Sequence, residues 1–232
     1  MTSNHSILSR WRHLLPVVAM LLGMTTPVQA LSRQNATAAA PDTLPLLRGV
    51  SVYADLVGPA MLLLSDYGQY EFGARVNLRN RYLPTVEAGL GRARHANQLT
   101  SLHYETTAPF FKAGMDFNVL KNKESGNLLF VGFRYAFTYF SNDISDHSLT
   151  DPVWKNTVDY TIHNSGCYYH WFEGVFGLDT PLVGPVHLGW SVRWRRRLFH
   201  NEGDYGRAWY VPGFGPSAGG RIAAMFNFTI KI

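Results

Sequence analysis

From residue 186 to 197 the chain alternates without a break. Val186, Leu188, Trp190, Val192 and Trp194 share one face, and His187, Gly189, Ser191, Arg193, Arg195 and Arg197 share the other. A period of two marks a strand with one apolar face. In a helix, at about 100 degrees per residue, these apolar groups would scatter around the axis. The same alternation runs through 70–78, 111–119 and 222–232, and in weaker form through 50–57, 85–90, 129–139 and 168–179. These segments predict an all-β fold of eight strands.

The connections sort by length. After the second, fourth and sixth segments they are short and turn-like, at 79–81, 121–126 and 180–185; after the third, fifth and seventh they are long, at 92–107, 141–166 and 199–219. The segment 58–67, after the first, is intermediate. Short turns at one end and long loops at the other are the mark of up-and-down connectivity between sequence neighbours. The expectation is a closed antiparallel up-and-down β-barrel with both termini at the short-turn end.

Alternation alone does not say whether the apolar face points into a core or out into lipid. A soluble barrel of the lipocalin kind would present its polar face to water. A water-facing surface usually carries many lysines, whereas the whole chain has five. The polar face instead mixes glycine with charges of both signs: Asp55, Glu71, Glu87, Asp116 and Glu173 against Arg75, Lys112, Arg134, Arg193, Arg195 and Arg197. Small residues and paired charges suit a crowded interior, because unpaired buried charge is expensive. Tyr67, Tyr70, Tyr82, Tyr139, Tyr168, Tyr169, Trp194 and Trp209 fall near segment ends, where interfacial girdles place such rings. The charged share is 16%, against roughly 25% in ordinary domains, and no apolar run is long enough for a spanning helix. Together these favour a transmembrane barrel with lipid outside.

The start of the chain agrees with export. Arg10 and Arg12 precede an apolar run from 14 to 24 and a close on Val28-Gln29-Ala30, the pattern of a signal peptide at 1–30 cut after Ala30. Removing those arginines takes Lys+Arg from 21 to 19 against 16 acids, so the net charge falls from +5 to +3, too mild to argue for nucleic acid. Residues 31–47 are small, polar and aperiodic and read as a flexible lead-in to a barrel domain at 48–232. Cys167, the sole cysteine, has no partner for an intramolecular disulfide.

An eight-stranded interior is just wide enough for side chains to fill it. The inward charges Asp55, Glu71, Arg75, Glu87, Lys112, Asp116, Arg134, Glu173, Arg193, Arg195 and Arg197 are therefore expected to form a salt-bridged plug, with Glu87 and Glu173 as partners of the arginine ladder 193–197. No serine lies in a nucleophile motif with a histidine, and no paired-ligand spacing appears, so neither catalytic nor metal residues nor a cofactor are expected. Asp143, Asp146, Asp151 and Asp159 read as a solvated acidic loop. The long loops have the best claim to recognition, with Trp154, Tyr160, Tyr205 and Trp209 as their candidate contact residues.

Five stretches carry a resemblance: Arg48-Gly49-Val50-Ser51-Val52-Tyr53-Ala54-Asp55-Leu56, Tyr82-Leu83-Pro84-Thr85-Val86-Glu87-Ala88-Gly89, Gly132-Phe133-Arg134-Tyr135, Trp171-Phe172-Glu173 and Tyr210-Val211-Pro212-Gly213-Phe214-Gly215. On these the chain resembles a family of small bacterial outer-membrane β-barrel proteins of unknown function common in Bacteroidetes. Its architecture is similar to OmpA-like and OmpW-like eight-stranded barrels. The resemblance implies residence in the bacterial outer membrane, with outer-membrane lipid, lipopolysaccharide and the barrel insertion machinery as partners, no nucleic acid, and a monomer. One departure is the last residue, Ile232, where many such proteins end in an aromatic. The expected role is structural or binding, with a narrow channel or porin as the alternative and a lipid-modifying enzyme a more distant one.

Overall fold

The computed structural model describes residues 45–97, 102–123, 125–150, 157–203, 208–217 and 221–232, with backbone only at 147–150 and 157–159. The expected signal peptide and all but the end of the 31–47 lead-in lie outside the described residues. Eight long strands are present: β1 (Leu47–Asp55), β2 (Tyr67–Leu78), β3 (Tyr82–Ala96), β4 (Leu102–Asn118), β5 (Leu128–Thr150), β6 (Thr157–Val183), β7 (Val186–Asn201) and β10 (Ile222–Lys231). A short helix α1 (Val57–Leu64) and a two-stranded ribbon, β8 (Tyr210–Val211) with β9 (Gly215–Pro216), complete the elements.

Each long strand pairs antiparallel with its sequence neighbour, and β1 pairs with β10, so the ring of hydrogen bonds closes. Tyr53 lies opposite Thr229 on one side and Gly73 on the other. Closure leaves none of the eight strands as an edge, which removes the unpaired backbone groups an open sheet would present. The alternation then divides side chains cleanly. The charged and small residues point into the ring, while Phe72, Val86, Phe111, Phe133, Phe176, Trp190 and Phe228 stand on the outside in an exposed apolar band.

Two expectations need correction, and the segment after β1 gains an element. The stretches 92–107 and 141–166 are not long loops but mostly continuations of β3, β4, β5 and β6, leaving connections of 97–101 and 151–156. The outward face turns polar there, so the apolar half of the alternation vanishes while the backbone pairing persists, from Arg92↔Thr107 to Ala96↔His103 and from Asn142↔Asn164 to Thr150↔Thr157. The intermediate segment after β1 holds α1, started by Asp55, whose carboxylate accepts hydrogen bonds from the Val57 amide at 3.1 Å and the Gly58 amide at 2.7 Å. Within 199–219, residues 208–217 fold inward and close one end of the ring. Val211 and Phe214 are buried there against Phe110, Tyr169 and Trp171, and Tyr210 against Ala93 and Tyr104.

The other end is closed by short turns that are tied to each other. Arg79 and Asn80 both adopt φ of +52°, the mirror-image conformation that matches the twist of a tight hairpin and that asparagine tolerates better than most residues. Asn80 accepts from the Asn77 amide group at 2.6 Å and donates to the Lys123 carbonyl at 3.0 Å; Asn118 donates to the Asn80 carbonyl at 2.9 Å. The β2–β3 turn is thereby fastened to the β4–β5 connection. Asn80→Ala removes two of these side-chain bonds and a residue suited to positive φ. It is expected to cost about 1–3 kcal/mol, measured as a lower urea midpoint for unfolding, with Asn80→Gly losing less because it keeps the turn conformation.

Candidate functional site

The interior at mid-height is ionic. Five cations, Arg75, Lys112, Arg134, Arg193 and Arg195, meet four carboxylates, Glu71, Glu87, Asp116 and Glu173, and all nine are buried, so the cluster carries +5 − 4 = +1. Glu87 of β3 is the hub. It accepts both terminal nitrogens of Arg193 from β7 at 3.0 Å, the Nε of Arg134 from β5 at 3.2 Å and the Tyr53 hydroxyl from β1 at 2.5 Å. Asp116 of β4 takes a two-pronged contact from Arg134, at 2.6 and 2.8 Å, and a third from Arg75 at 3.2 Å. Paired parallel contacts of this kind fix direction as well as charge.

Glu71 and Glu173 complete the set. Glu71 faces Arg193 at 2.7 Å and Lys112 at 2.8 Å, with Gln69 donating to it at 3.2 Å. Glu173 lies 3.1 Å from Arg195 and 3.3 Å from both Lys112 and Arg193, and the indole of Trp171 donates to it at 2.7 Å. Space for these groups comes from glycine. A methyl at Gly73 would sit 2.2 Å from the Tyr53 ring, and one at Gly132 would sit 1.9 Å from the Asp116 carboxylate. Glycine on the polar face is therefore what lets Tyr53 reach Glu87 and Arg134 grip Asp116.

The network is enclosed above and below by apolar layers. Leu83, Leu128, Phe130 and Val175 lie toward the short turns; Phe110, Ala136, Phe140, Tyr169, Trp171 and Phe214 lie toward the β8–β9 ribbon. Arg195 donates to the Phe214 carbonyl at 2.6 Å, so the ribbon is bound to the network itself. Tyr210 is sealed under the same cap, its hydroxyl donating to the Gly68 carbonyl at 3.1 Å, and burial raises the phenol above its ordinary pKa.

The expected residues sort as follows. Arg193 and Arg195 do meet Glu87 and Glu173, and Glu71, Arg75, Lys112, Asp116 and Arg134 join the same cluster. Asp55 points inward but serves the start of α1 rather than an ion pair, and also lies 3.3 Å from the Phe226 amide. Arg197 is only half-buried and turns to Glu202 at 3.7 Å and the Ser217 carbonyl at 3.0 Å. Trp209 is not an exposed recognition residue: its ring stacks on His95 at 4.4 Å and packs against Tyr67 and Tyr104 at the cap. Tyr160 is exposed, while Trp154 and Tyr205 lie outside the described residues. Of the expected girdle, Tyr70, Tyr82, Tyr139, Tyr168 and Trp194 stand on the outer surface, whereas Tyr169 is buried inside and Tyr67 joins the cap.

Sequence reasoning missed Tyr53, Gln69, Thr85 and Trp171, neutral members that lie on the charged face and were readable from parity alone. It also missed a second, smaller group at the short-turn end, where Asp179 meets His187 at 2.8 Å and Lys231 at 3.9 Å.

The family model described as a domain of unknown function (DUF6048) matches residues 14–232, and the chain belongs to that family. No curated protein and no solved structure matches it.

Removing one member of a buried ion pair strands its partner at a cost of about 3–5 kcal/mol. Arg134→Met strips Asp116 of its two-pronged partner and Glu87 of a third donor, and is expected to reach that range. Arg75→Met leaves Asp116 held by Arg134, and is expected to cost clearly less. Equal losses in denaturant midpoints would show that the pairing seen at Asp116 does not govern stability.

Proposed function

We propose that this protein is an integral outer-membrane β-barrel that does not conduct, with its short turns in the periplasm and its long hairpins outside. In this reading it acts as a structural and binding element. The observation that carries it is the inversion of the fold: apolar side chains cover the outside of a closed ring, and nine ion-paired charges of both signs fill the inside. A water-soluble domain buries its apolar face and hydrates its charges, whereas hydrocarbon demands the reverse and also demands that every backbone group be paired within the ring.

The outer band supports the same reading. On β2 it runs from Leu78 to Tyr70, on β4 from Phe117 to Pro109 and on β5 from Val131 to Tyr139, close to the 9–11 residues of a tilted membrane strand. Beyond Leu90 on β3 the outward positions become Arg92 and Arg94, which meet Glu105 at 3.8 and 2.6 Å, as expected where headgroups replace acyl chains. The β5–β6 hairpin stays paired, with register shifts at Phe140/Asn142 and Asp146/Leu149, past the last β4 pair, Leu102↔Asp146, and past the last β7 pair, Tyr168↔Asn201. That arm, with exposed Tyr160 and the Asp143–His163 contact, is the proposed recognition surface.

Three measurements test the proposal together. The protein should stay with membranes through carbonate extraction, and on a gel it should migrate differently before and after boiling. Inserted in a planar bilayer it should give no discrete conductance steps, because the network and its two apolar layers occupy the described interior. Release as a soluble periplasmic protein would overturn the membrane assignment; stable open steps would overturn the plugged interior and favour a narrow channel.

A further inference from the structure

We infer that the short-turn rim below β2–β5 is a docking surface for the anionic headgroups of phospholipids, held in place by the turn-to-turn ties of Asn80 and Asn118. The inference rests on the membrane reading above and adds a lipid class to it. Residues 79–81 and 119–127 hold Arg79, Arg81, Lys121 and Lys123 against Glu124 as their one acid. Among the described residues none of the four cations meets a carboxylate; Arg79, Arg81 and Lys121 are exposed and Lys123 is half-exposed. This contrasts with the opposite rim, where Arg92 and Arg94 share Glu105.

Position identifies the partner. The four cations lie immediately beyond the edge of the apolar band, where Tyr82, Phe117 and Val119 are its last exposed outward side chains. The Arg81 guanidinium sits 5.4 Å from the centre of the Tyr82 ring, which in turn meets Phe117 edge-on at 5.9 Å. A cation over an aromatic ring at the end of an acyl-facing surface is at the height of the lipid phosphates, and basic residues at that height gain about fivefold each in association with an anionic leaflet. The cluster is also fixed in advance. Asn118 bonds both the Arg81 and the Asn80 backbone, through its amide to the Arg81 carbonyl and through its side chain to the Asn80 carbonyl, and Asn80 bonds the Lys123 carbonyl. Two separate turns therefore present their charges in one constant arrangement, which lowers the ordering cost of binding.

The test uses the full-length protein reconstituted in phosphatidylcholine vesicles containing spin-labelled phosphatidylglycerol or spin-labelled phosphatidylcholine, with electron paramagnetic resonance reporting the lipid immobilised at the protein. Phosphatidylglycerol should be preferred several-fold at low salt. The preference should fall to near parity in the Arg79→Gln/Arg81→Gln/Lys121→Gln/Lys123→Gln variant, and should survive in Arg92→Gln/Arg94→Gln. Heat-dependent gel migration checks that each variant is folded. A preference unchanged in the fourfold variant, or absent from the parent, overturns the inference while leaving the membrane reading intact. Parity of the two lipids combined with cosedimentation of the parent, but not the variant, with purified peptidoglycan overturns it in favour of an anionic polymer. If no lipid of either kind is immobilised, the membrane reading itself has failed.

Discussion

Glu87 is the point on which the rest of the structure turns. One carboxylate from β3 receives groups from β1, β5 and β7, strands that do not neighbour it in the ring except across the interior. Backbone pairing holds each strand to its neighbours but says nothing about what lies across the lumen. The side-chain ties through Glu87, Asp116 and Glu173 supply that second direction. They also make register unforgiving, since a slip of one residue would exchange the charged face for the apolar one on a whole strand.

Much of this was legible in the sequence, because a period of two encodes both the strand and its two faces. All eight strands were anticipated by their alternation, and parity alone placed Glu71, Arg75, Glu87, Lys112, Asp116, Arg134, Glu173, Arg193 and Arg195 on one side. What parity cannot encode is distance across the ring. Thus Glu87 and Glu173 were nameable as partners of Arg193 and Arg195, while the link from Glu87 to Tyr53 depends on the room left by Gly73. The strand ends were hidden for a different reason. Beyond Tyr139 and before Tyr168 both faces of the β5–β6 hairpin are largely polar, so the contrast that announces a strand is lost although the hydrogen bonds continue. The inward fold of 208–217 left no periodic mark at all, because a ribbon of two-residue strands is too short to show one.

The filling of the interior is layered rather than uniform, and the layering matters energetically. Charges buried without water are tolerable only when their remaining donors and acceptors are satisfied. Here the apolar layers of Leu83, Leu128 and Phe130 on one side and Phe110, Trp171 and Phe214 on the other close off the ionic zone, so each pair faces protein partners at a lowered dielectric. The surplus of one positive charge falls beside aromatic faces: Arg75 stands 4.5 Å from the centre of the Phe130 ring and 5.0 Å from that of Tyr53. Ring faces are weakly negative, which makes this the part of the cluster best suited to a cation with one carboxylate contact.

An interior arranged in this way has little capacity left for a ligand. Glu87 already accepts four donor contacts, Arg134 and Arg193 are each shared between carboxylates, and Arg195 is spent on Glu173 and the cap. A solute entering the network would have to replace contacts whose loss exposes a buried charge, at several kcal/mol each. The ends of the ring face no such constraint. There the turns and hairpins are supported from below by the ion-paired core, and their exposed groups, Tyr160 on one rim and Arg79, Arg81 and Lys121 on the other, face outward. The same side-chain network that fills the lumen is what holds the strands that carry the two rims.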